Sequence, residues 1–280
     1  MGDVFKLFGQ YIFDPFFAHP ILNLLVIFYK LFLFIKIPGA FGFAIIMLTI
    51  AVRLLFQPFF QKQIETGKKM QELKPHLDNL SAKHKNDQKQ LQAEQLKLYQ
   101  QHGINPASGC LVMIVQLPVF IALYNTLNLF LLNGHAEKTI NMINKVLYFS
   151  FLKINSIDSW FFGLDLVKSP ANAGAWYYLL IPLITGILQY FQAQISMPSS
   201  AKATEGKPPK DGLTSEVKNK DGGGDFQKAM NTQMKYMFPV MIGYFSYSLP
   251  IGLALYWNIF SIMGIMQYRK VNNKLKIIKK

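Results

Sequence analysis

Long apolar runs alternate with long polar ones along this chain, and the lengths of the apolar runs set the first expectation. A helix crossing roughly 30 Å of hydrocarbon needs about 20 mostly apolar residues. Phe41 to Phe60 is such a run, interrupted by Arg53 and Gln57. Leu111 to Leu132 is a second, broken only by neutral polar residues. Ala173 to Ile195 is a third, and its opening Trp176-Tyr177-Tyr178 suits a membrane interface. Met234 to Tyr268 is too long for one crossing and holds Pro250 near its middle, so Ser248-Leu249-Pro250 reads as a turn between two short helices. The expected fold is all-α and polytopic, with transmembrane helices over 39–60, 107–133, 173–195, 233–249 and 250–268.

The N-terminal region, 1–38, is harder to place. Ile21 to Ile37 is apolar but carries Lys30 and Lys36 and follows two X-Pro pairs, Asp14-Pro15 and His19-Pro20. No short basic start or small-residue cleavage site frames it as a signal peptide. It reads as an interfacial amphipathic helix, with a sixth span as the alternative. Charge favours the first reading. Of the 29 Lys and Arg residues, 21 lie in Gln61–Pro106, Ser196–Lys235 and Arg269–Lys280, and only seven in Met1–Pro38 and Asn133–Pro170. Short cytoplasmic loops carry the cationic excess. Five spans put every basic segment on one face, which places the N-terminus outside and the C-terminus inside.

The polar segments differ from one another. Within 61–106, Met70, Leu73, Leu77 and Leu80 recur at helical spacing, and Leu91 and Leu98 repeat at seven. This predicts a cytoplasmic helical hairpin with its tip near Asn86, in which Pro75 either kinks the first arm or restarts it. Segment 134–172 reads as an extracytoplasmic loop. Segment 196–232, with three prolines and Gly222-Gly223-Gly224, reads as a disordered cytoplasmic loop, and 269–280 as a basic tail.

Composition removes several classes. The chain is 51% hydrophobic and 16% charged with a net charge of +14, and it has one cysteine. Its aromatic and aliphatic content excludes disorder, and Cys110 alone excludes a disulfide scaffold. None of the five histidines forms HExxH, and no GxSxG, Walker loop or intramembrane carboxylate pair is present. The expectation is a protein that is not an enzyme and needs no cofactor or metal.

Arg53 is the informative residue. It stands inside an apolar window, and a straight helix would put it roughly 13 Å below the cytoplasmic edge at Lys62. Insertion of such a charge is uphill by about 2.5 to 3.5 kcal/mol, so it needs solvation or a partner. None of the five windows contains Asp or Glu, which leaves water. Thr49 and Gln57 lie one turn either side of it. Gln116, Asn125 and Asn128, then Gln189 and Gln192, then Asn258 and Ser261 supply polar groups from other spans. Each fits an interhelical hydrogen bond. Gathered around Arg53, they point to a hydrated cavity inside the bilayer.

Several of these residues also carry a resemblance. Phe41-Gly42-Phe43-Ala44-Ile45-Ile46 leads through Thr49, Arg53 and Pro58 to the basic hairpin. Asn105-Pro106, Gly109-Cys110 and Gln116-Leu117-Pro118 follow, then Phe238-Pro239, Gly252-Leu253-Ala254-Leu255-Tyr256-Trp257 and Gln267. In this order, from Pro38 to Lys270, the chain resembles the YidC membrane protein insertase family. The resemblance implies a five-helix core and a groove open to cytoplasm and lipid, with its arginine at Arg53, its threonine at Thr49 and its aromatic at Trp257. It implies nascent membrane proteins as substrates in the bacterial cytoplasmic membrane. The lipid bilayer, the Sec translocon, the signal recognition particle with its receptor, and the ribosome are the implied partners, and DNA is not among them. Two departures from the family pattern are the missing large periplasmic domain and the short basic tail. The alternative class is a small-anion transporter or channel, against which stand the lack of an internal repeat and of a broken helix pair.

Overall fold

The computed structural model describes residues 9–84, 87–104, 117–126, 137–196 and 233–278. The expected hairpin tip at Asn86, Cys110, Gln116, Asn128 and nearly all of the loop 196–232 lie outside these residues. A π-helical segment, Gly9–Ala18, runs into α1, His19–Phe34. There follow α2 (Ala40–Leu55), α3 (Gln57–Lys83), α4 (Gln88–Gln101), α5 (Leu117–Thr126) and α6 (Glu137–Val146). The chain closes with α7 (Leu180–Ser196), α8 (Phe238–Ser248) and α9 (Ile251–Ile278).

Among the described residues, Asp14–Phe34, Trp176–Ile195 and Ile251–Asn273 are long and apolar enough to cross a membrane, and α2 with α3 makes a fourth if that bent pair is one span. The expectation was five, without the N-terminal segment. Much of 107–133 lies outside the described residues, and α8 has only 11 residues. Helix α9 packs on α2, α3 and α7, while α8 lies on α7 and α1 on α2. Leu25, Ala44, Ile45, Leu48, Leu253 and Tyr256 are buried at the centre. Leu183, Ile187, Phe191, Val240 and Tyr244 face outward and bare. In water such a surface would associate, whereas hydrocarbon is its matching solvent.

Segment 39–60 is not one straight helix. It bends by 68° between α2 and α3. Pro58 has no N–H for the Leu54 carbonyl, and its ring crowds that turn. The helix restarts on the Phe56 carbonyl, which accepts from Phe59 and Phe60 N–H at 3.1 Å each. The bend removes two sequence-based arguments. Depth of Arg53 cannot be counted along a straight helix to Lys62, and the chain does contain a broken helix pair. Pro75, by contrast, lies within the continuous α3. Further along, Leu249 before Pro250 is extended (φ −98°, ψ 163°), and the chain breaks there between α8 and α9. Helix α9 then continues for 28 residues through the segment expected as a separate tail.

Helices α3 and α4 pack side by side through Leu73, Tyr99 and Ile104, supported by Met70, Leu77 and Leu98. Asp87 caps α4 by accepting from Gln90 N–H at 3.0 Å.

Residues 137–179 form a structured cap at one end of the helices rather than a simple loop. Ile143, Leu152, Ile154, Ile157 and Leu166 join the same core as α1 and α2. The cap also satisfies groups that the helices leave open. Ile251 and Gly252 N–H, orphans at the start of α9, donate to the Lys168 and Leu166 carbonyls at 3.0 and 2.8 Å. Asn23 of α1 donates to Val146 O at 3.0 Å and accepts from Tyr148 N–H at 2.7 Å. The Tyr29 hydroxyl accepts from Asp158 N–H at 3.0 Å, and Lys30 Nζ donates to Phe151 O at 2.6 Å. Helix α1 therefore runs along the cap, held at several points.

The cap adds one short ladder to the predominantly helical fold. Trp160–Phe161 and Leu164–Asp165 pair as a two-residue antiparallel ladder, Trp160 opposite Asp165 and Phe161 opposite Leu164. Its turn residues, Phe162 and Gly163, both have positive φ (49° and 85°), the geometry of a tight hairpin turn normally built from Asn and Gly. A Phe at that position gave no turn signal. Phe161 enters the space above Gly42 of α2, where a Cβ would lie 2.1 Å from its Cδ2.

Candidate functional site: a buried arginine at a helix bend

Arg53 lies in the last turn of α2 and is only 3% exposed. The bend that follows brings the first turns of α3 beside its side chain. The guanidinium carbon lies 4.6 Å from the Phe60 ring centre and 4.1 Å from that of Phe260, and those rings meet edge to face at 5.7 Å. Arg53 Nε donates to Gln267 Oε1 at 3.1 Å. Gly264 leaves room for the group, since a Cβ there would sit 2.8 Å from Nη2.

These contacts revise the expectation that only water could partner Arg53. A desolvated cation–π contact contributes up to about 2 kcal/mol. A hydrogen bond to a charged group contributes about 1.5 to 3 kcal/mol. Together they are of the same order as the insertion penalty of about 2.5 to 3.5 kcal/mol. Charge is tolerated here without a carboxylate, and none of the described contacts neutralises it.

Solvation is incomplete. Arg53 Nη1, Gln192 Oε1, Asn258 Oδ1 and Ser261 Oγ are buried with no hydrogen-bond partner among the described residues. A cavity of about 70 Å³ adjoins the arginine, lined also by Phe60, Gln63 and Ile64 of α3, Gln192 of α7, and Phe260, Gly264 and Tyr268 of α9. Its walls mix the polar Gln63, Gln192 and Tyr268 with the apolar Phe60, Ile64 and Phe260, and it has room for a few water molecules. Three helices thus close a small polar chamber over one cation.

The residues singled out from sequence are partly gathered here. Arg53 and Gln192 line the chamber. Thr49 is fully buried one turn away, and its hydroxyl donates to Ile45 O at 2.7 Å. Gln57 stands beyond the bend, half-buried, so the straight stripe Thr49–Arg53–Gln57 does not form. Asn125 is exposed on α5, and Gln189 is half-buried on α7 outside the lining. Trp257 is buried and stacks on Phe120 of α5, centroids 5.3 Å apart at 6°, so it joins α5 to α9. Asn258 points a buried oxygen inward without lining the chamber.

Sequence reasoning missed the roles of Gln267, Phe60, Phe260, Gly264 and Tyr268. Gln267 and Tyr268 belong to the last turns of the apolar stretch, where polar groups look like ordinary helix ends. Gly264 offered the only signal, a small residue in a bulky helix. Among the described residues no group of three or more His, Cys, Asp or Glu could hold a metal.

Helix α3 is fastened over this chamber at its far side. Buried Lys68 donates from Nζ to Asn272 Oδ1 at 2.8 Å and lies 5.1 Å from the Tyr268 ring centre. The Tyr268 hydroxyl donates to Gln71 Oε1 at 3.3 Å, and Gln71 Nε2 reaches Ile195 O at 3.5 Å.

Known proteins bear on this arrangement. The family model described as 60Kd inner membrane protein matches residues 14–279. The Inner membrane ALBINO3-like protein 2, chloroplastic, of Chlamydomonas reinhardtii is 31% identical over 248 residues, 86% of this chain and 52% of that protein. The Membrane protein insertase YidC of Caulobacter vibrioides is 29% identical over 268 residues, 94% of this chain and 37% of its own. In Oceanobacillus iheyensis, a protein of the same name is 30% identical over 239 residues, 84% of this chain and 75% of its own. The chain thus spans about half or less of the first two relatives and most of the third. With a match over nearly its whole length, the chain belongs to the 60Kd inner membrane protein family, the YidC/Oxa1/Alb3 proteins.

Proposed function

We propose that this protein inserts newly made membrane proteins into a bacterial cytoplasmic membrane and assists their folding there. The carrying observation is Arg53, a buried cation with no described acidic partner, set in a polar chamber between apolar helices. A polar segment crossing hydrocarbon loses several kcal/mol per unsatisfied group. A chamber that holds water and a fixed positive charge shortens the apolar path and attracts acidic segments. The apolar helix of the substrate then leaves sideways into lipid, where burial supplies the driving force. No nucleotide is required. Thr49, Gln57, Gln116, Asn125, Gln189, Trp257 and Asn258 complete the groove in this reading, through rearrangement of α5 and α9 around the arginine. The helices α3 and α4 stand in the cytoplasm and receive substrates, with the cap outside and the C-terminus inside. The Sec translocon, the signal recognition particle and its receptor, and the ribosome are the partners that would deliver substrates.

The test is insertion by the purified chain in vesicles, using small single-span proteins whose translocated segments are acidic or neutralised. Arg53→Ala should impair the acidic substrates most, because the Coulomb term vanishes for neutral ones. Arg53→Lys should retain much of the activity. Equal handling of both substrate types by wild type and Arg53→Ala would end the electrostatic reading. A small-anion transporter would instead lose anion flux in Arg53→Ala while inserting test proteins normally.

A further inference from the structure

The cap carries its largest apolar side chains on the outside. Phe162 is 64% exposed, Phe151 70% and Trp176 76%, with Phe149 and Trp160 also exposed. They fall into separate pairs on the same cap. Phe149 stacks on Phe151 at 5.4 Å, and Trp160 and Phe162 approach at 6.1 Å. Phe162 also meets Phe43, near the start of α2, at 6.0 Å.

Phe162 is the unusual member. It has φ +49°, in the left-handed region that Cβ sterics penalise, at the turn of the two-residue ladder. Turns of this kind favour Asn, Asp or Gly. A bulky ring in a strained position and 64% exposed gains little in water beyond its contacts with Phe43, Trp160 and Phe161. Its position in the fold suggests another environment. The ladder sits beside Gly39 and Gly42 at the start of α2, and the cap binds the start of α9 through Ile251 and Gly252. Trp176 opens the apolar stretch Trp176–Ile195, whose Leu179, Leu180 and Leu183 are bare in turn. The Trp160 and Phe162 pair is therefore level with the start of α2, and Trp176 is continuous with the bare surface of the Trp176–Ile195 stretch. Aromatic side chains concentrate at that level of a bilayer.

We propose that the turn Trp160–Gly163, with Phe162 at its tip, is a membrane wedge that seats the cap in the interfacial layer of the outer leaflet. The partner is the glycerol and upper acyl region of phospholipid, reached by aromatic rings. This seat holds α1 and the cap against the membrane face, independently of what the protein does with substrates.

Nitroxide depth measurement tests it on the full chain in phosphatidylcholine vesicles. Phe162→Cys and Trp160→Cys are each made in a Cys110→Ser background and spin-labelled. Asn155→Cys, exposed on the same cap, is the aqueous reference. Relaxation by oxygen relative to a water-soluble nickel chelate should be several-fold higher at 162 and 160 than at 155. Ratios at both positions equal to that at 155 would overturn the wedge. Insertion activity does not enter the readout, so failure of the proposed function leaves this result standing.

Discussion

Arg53 donates through Nε to Oε1 of Gln267 at 3.1 Å, a contact between the end of α2 and the lower part of α9 that spans 214 positions of sequence. The neutral partner matters. An amide orients the guanidinium and leaves its charge whole, whereas a carboxylate would neutralise it. Phe60 and Phe260 act in the same sense, since ring faces attract a cation without carrying charge of their own.

Gln267→Glu follows directly. A carboxylate in this position would form a close ion pair with Arg53 in a poorly hydrated chamber. The variant should fold at least as well as wild type in detergent, while insertion of acidic segments falls toward the Arg53→Ala level. Unchanged insertion of acidic substrates would show that the net charge at this point is irrelevant. Gln267→Leu should instead lower thermal stability, by about 1.5 to 3 kcal/mol for a hydrogen bond to a charged group.

Gly42 is required by Phe161. A Cβ on residue 42 would stand 2.1 Å from the Phe161 ring, in the packed seam between α2 and the cap. Gly42→Ala should destabilise by about 1 to 3 kcal/mol, the usual range for overpacking. Thermal unfolding in detergent measures it. The double variant Gly42→Ala/Phe161→Ala should recover part of that loss through coupling of the two sites. Full additivity would mean that the ring does not occupy this space.

The contact between Lys68 and Asn272 tests whether α3 moves. Cysteines at both positions, in a Cys110→Ser background, can be joined by a short bis-maleimide because the wild-type side chains meet at 2.8 Å. Crosslinking should reduce insertion several-fold if substrates reach Arg53 by displacing α3. Full activity of the crosslinked protein would show that they enter by another side.

Topology is checked by single cysteines and an impermeant thiol reagent on intact cells. Ser215→Cys and Asn273→Cys should be protected, and Asn155→Cys should be labelled. The expectation follows from the cationic split of 21 against seven. Labelling of Ser215→Cys from outside would reverse the orientation of the chain.

Helical membrane class and the family were legible in the sequence, and Arg53 stood out there as a cation in an apolar run, because each depends on local properties. Run length measures bilayer thickness, Pro58 and Pro250 fall at breaks, and one cation among apolar residues stands out without any coordinates. The same locality explains the errors. Counting along a straight helix assumed that Pro58 would be absorbed, whereas it turns α3 by 68° and makes Phe60, Gln63 and Ile64 walls of the chamber. Gln57 left the arginine's stripe for the same reason.

Tertiary structure alone decided what surrounds Arg53 and what covers the other end. Gln192, Gly264 and Gln267 reach the guanidinium region from α7 and α9, far along the chain, and nothing local shows that they meet Arg53. The cap looked like a connecting loop because its apolar runs, such as Val146–Phe149 and Trp160–Phe162, are far too short to span a membrane and are broken by polar residues. Its buried apolar residues lie in the same core as α1 and α2, and cap carbonyls accept from Asn23 and Lys30 of α1 and from the start of α9. Solvent preference is written residue by residue along the chain. Which groups complete a partial hydrogen-bond set or fill a gap left by a glycine is set by segments that meet only after folding.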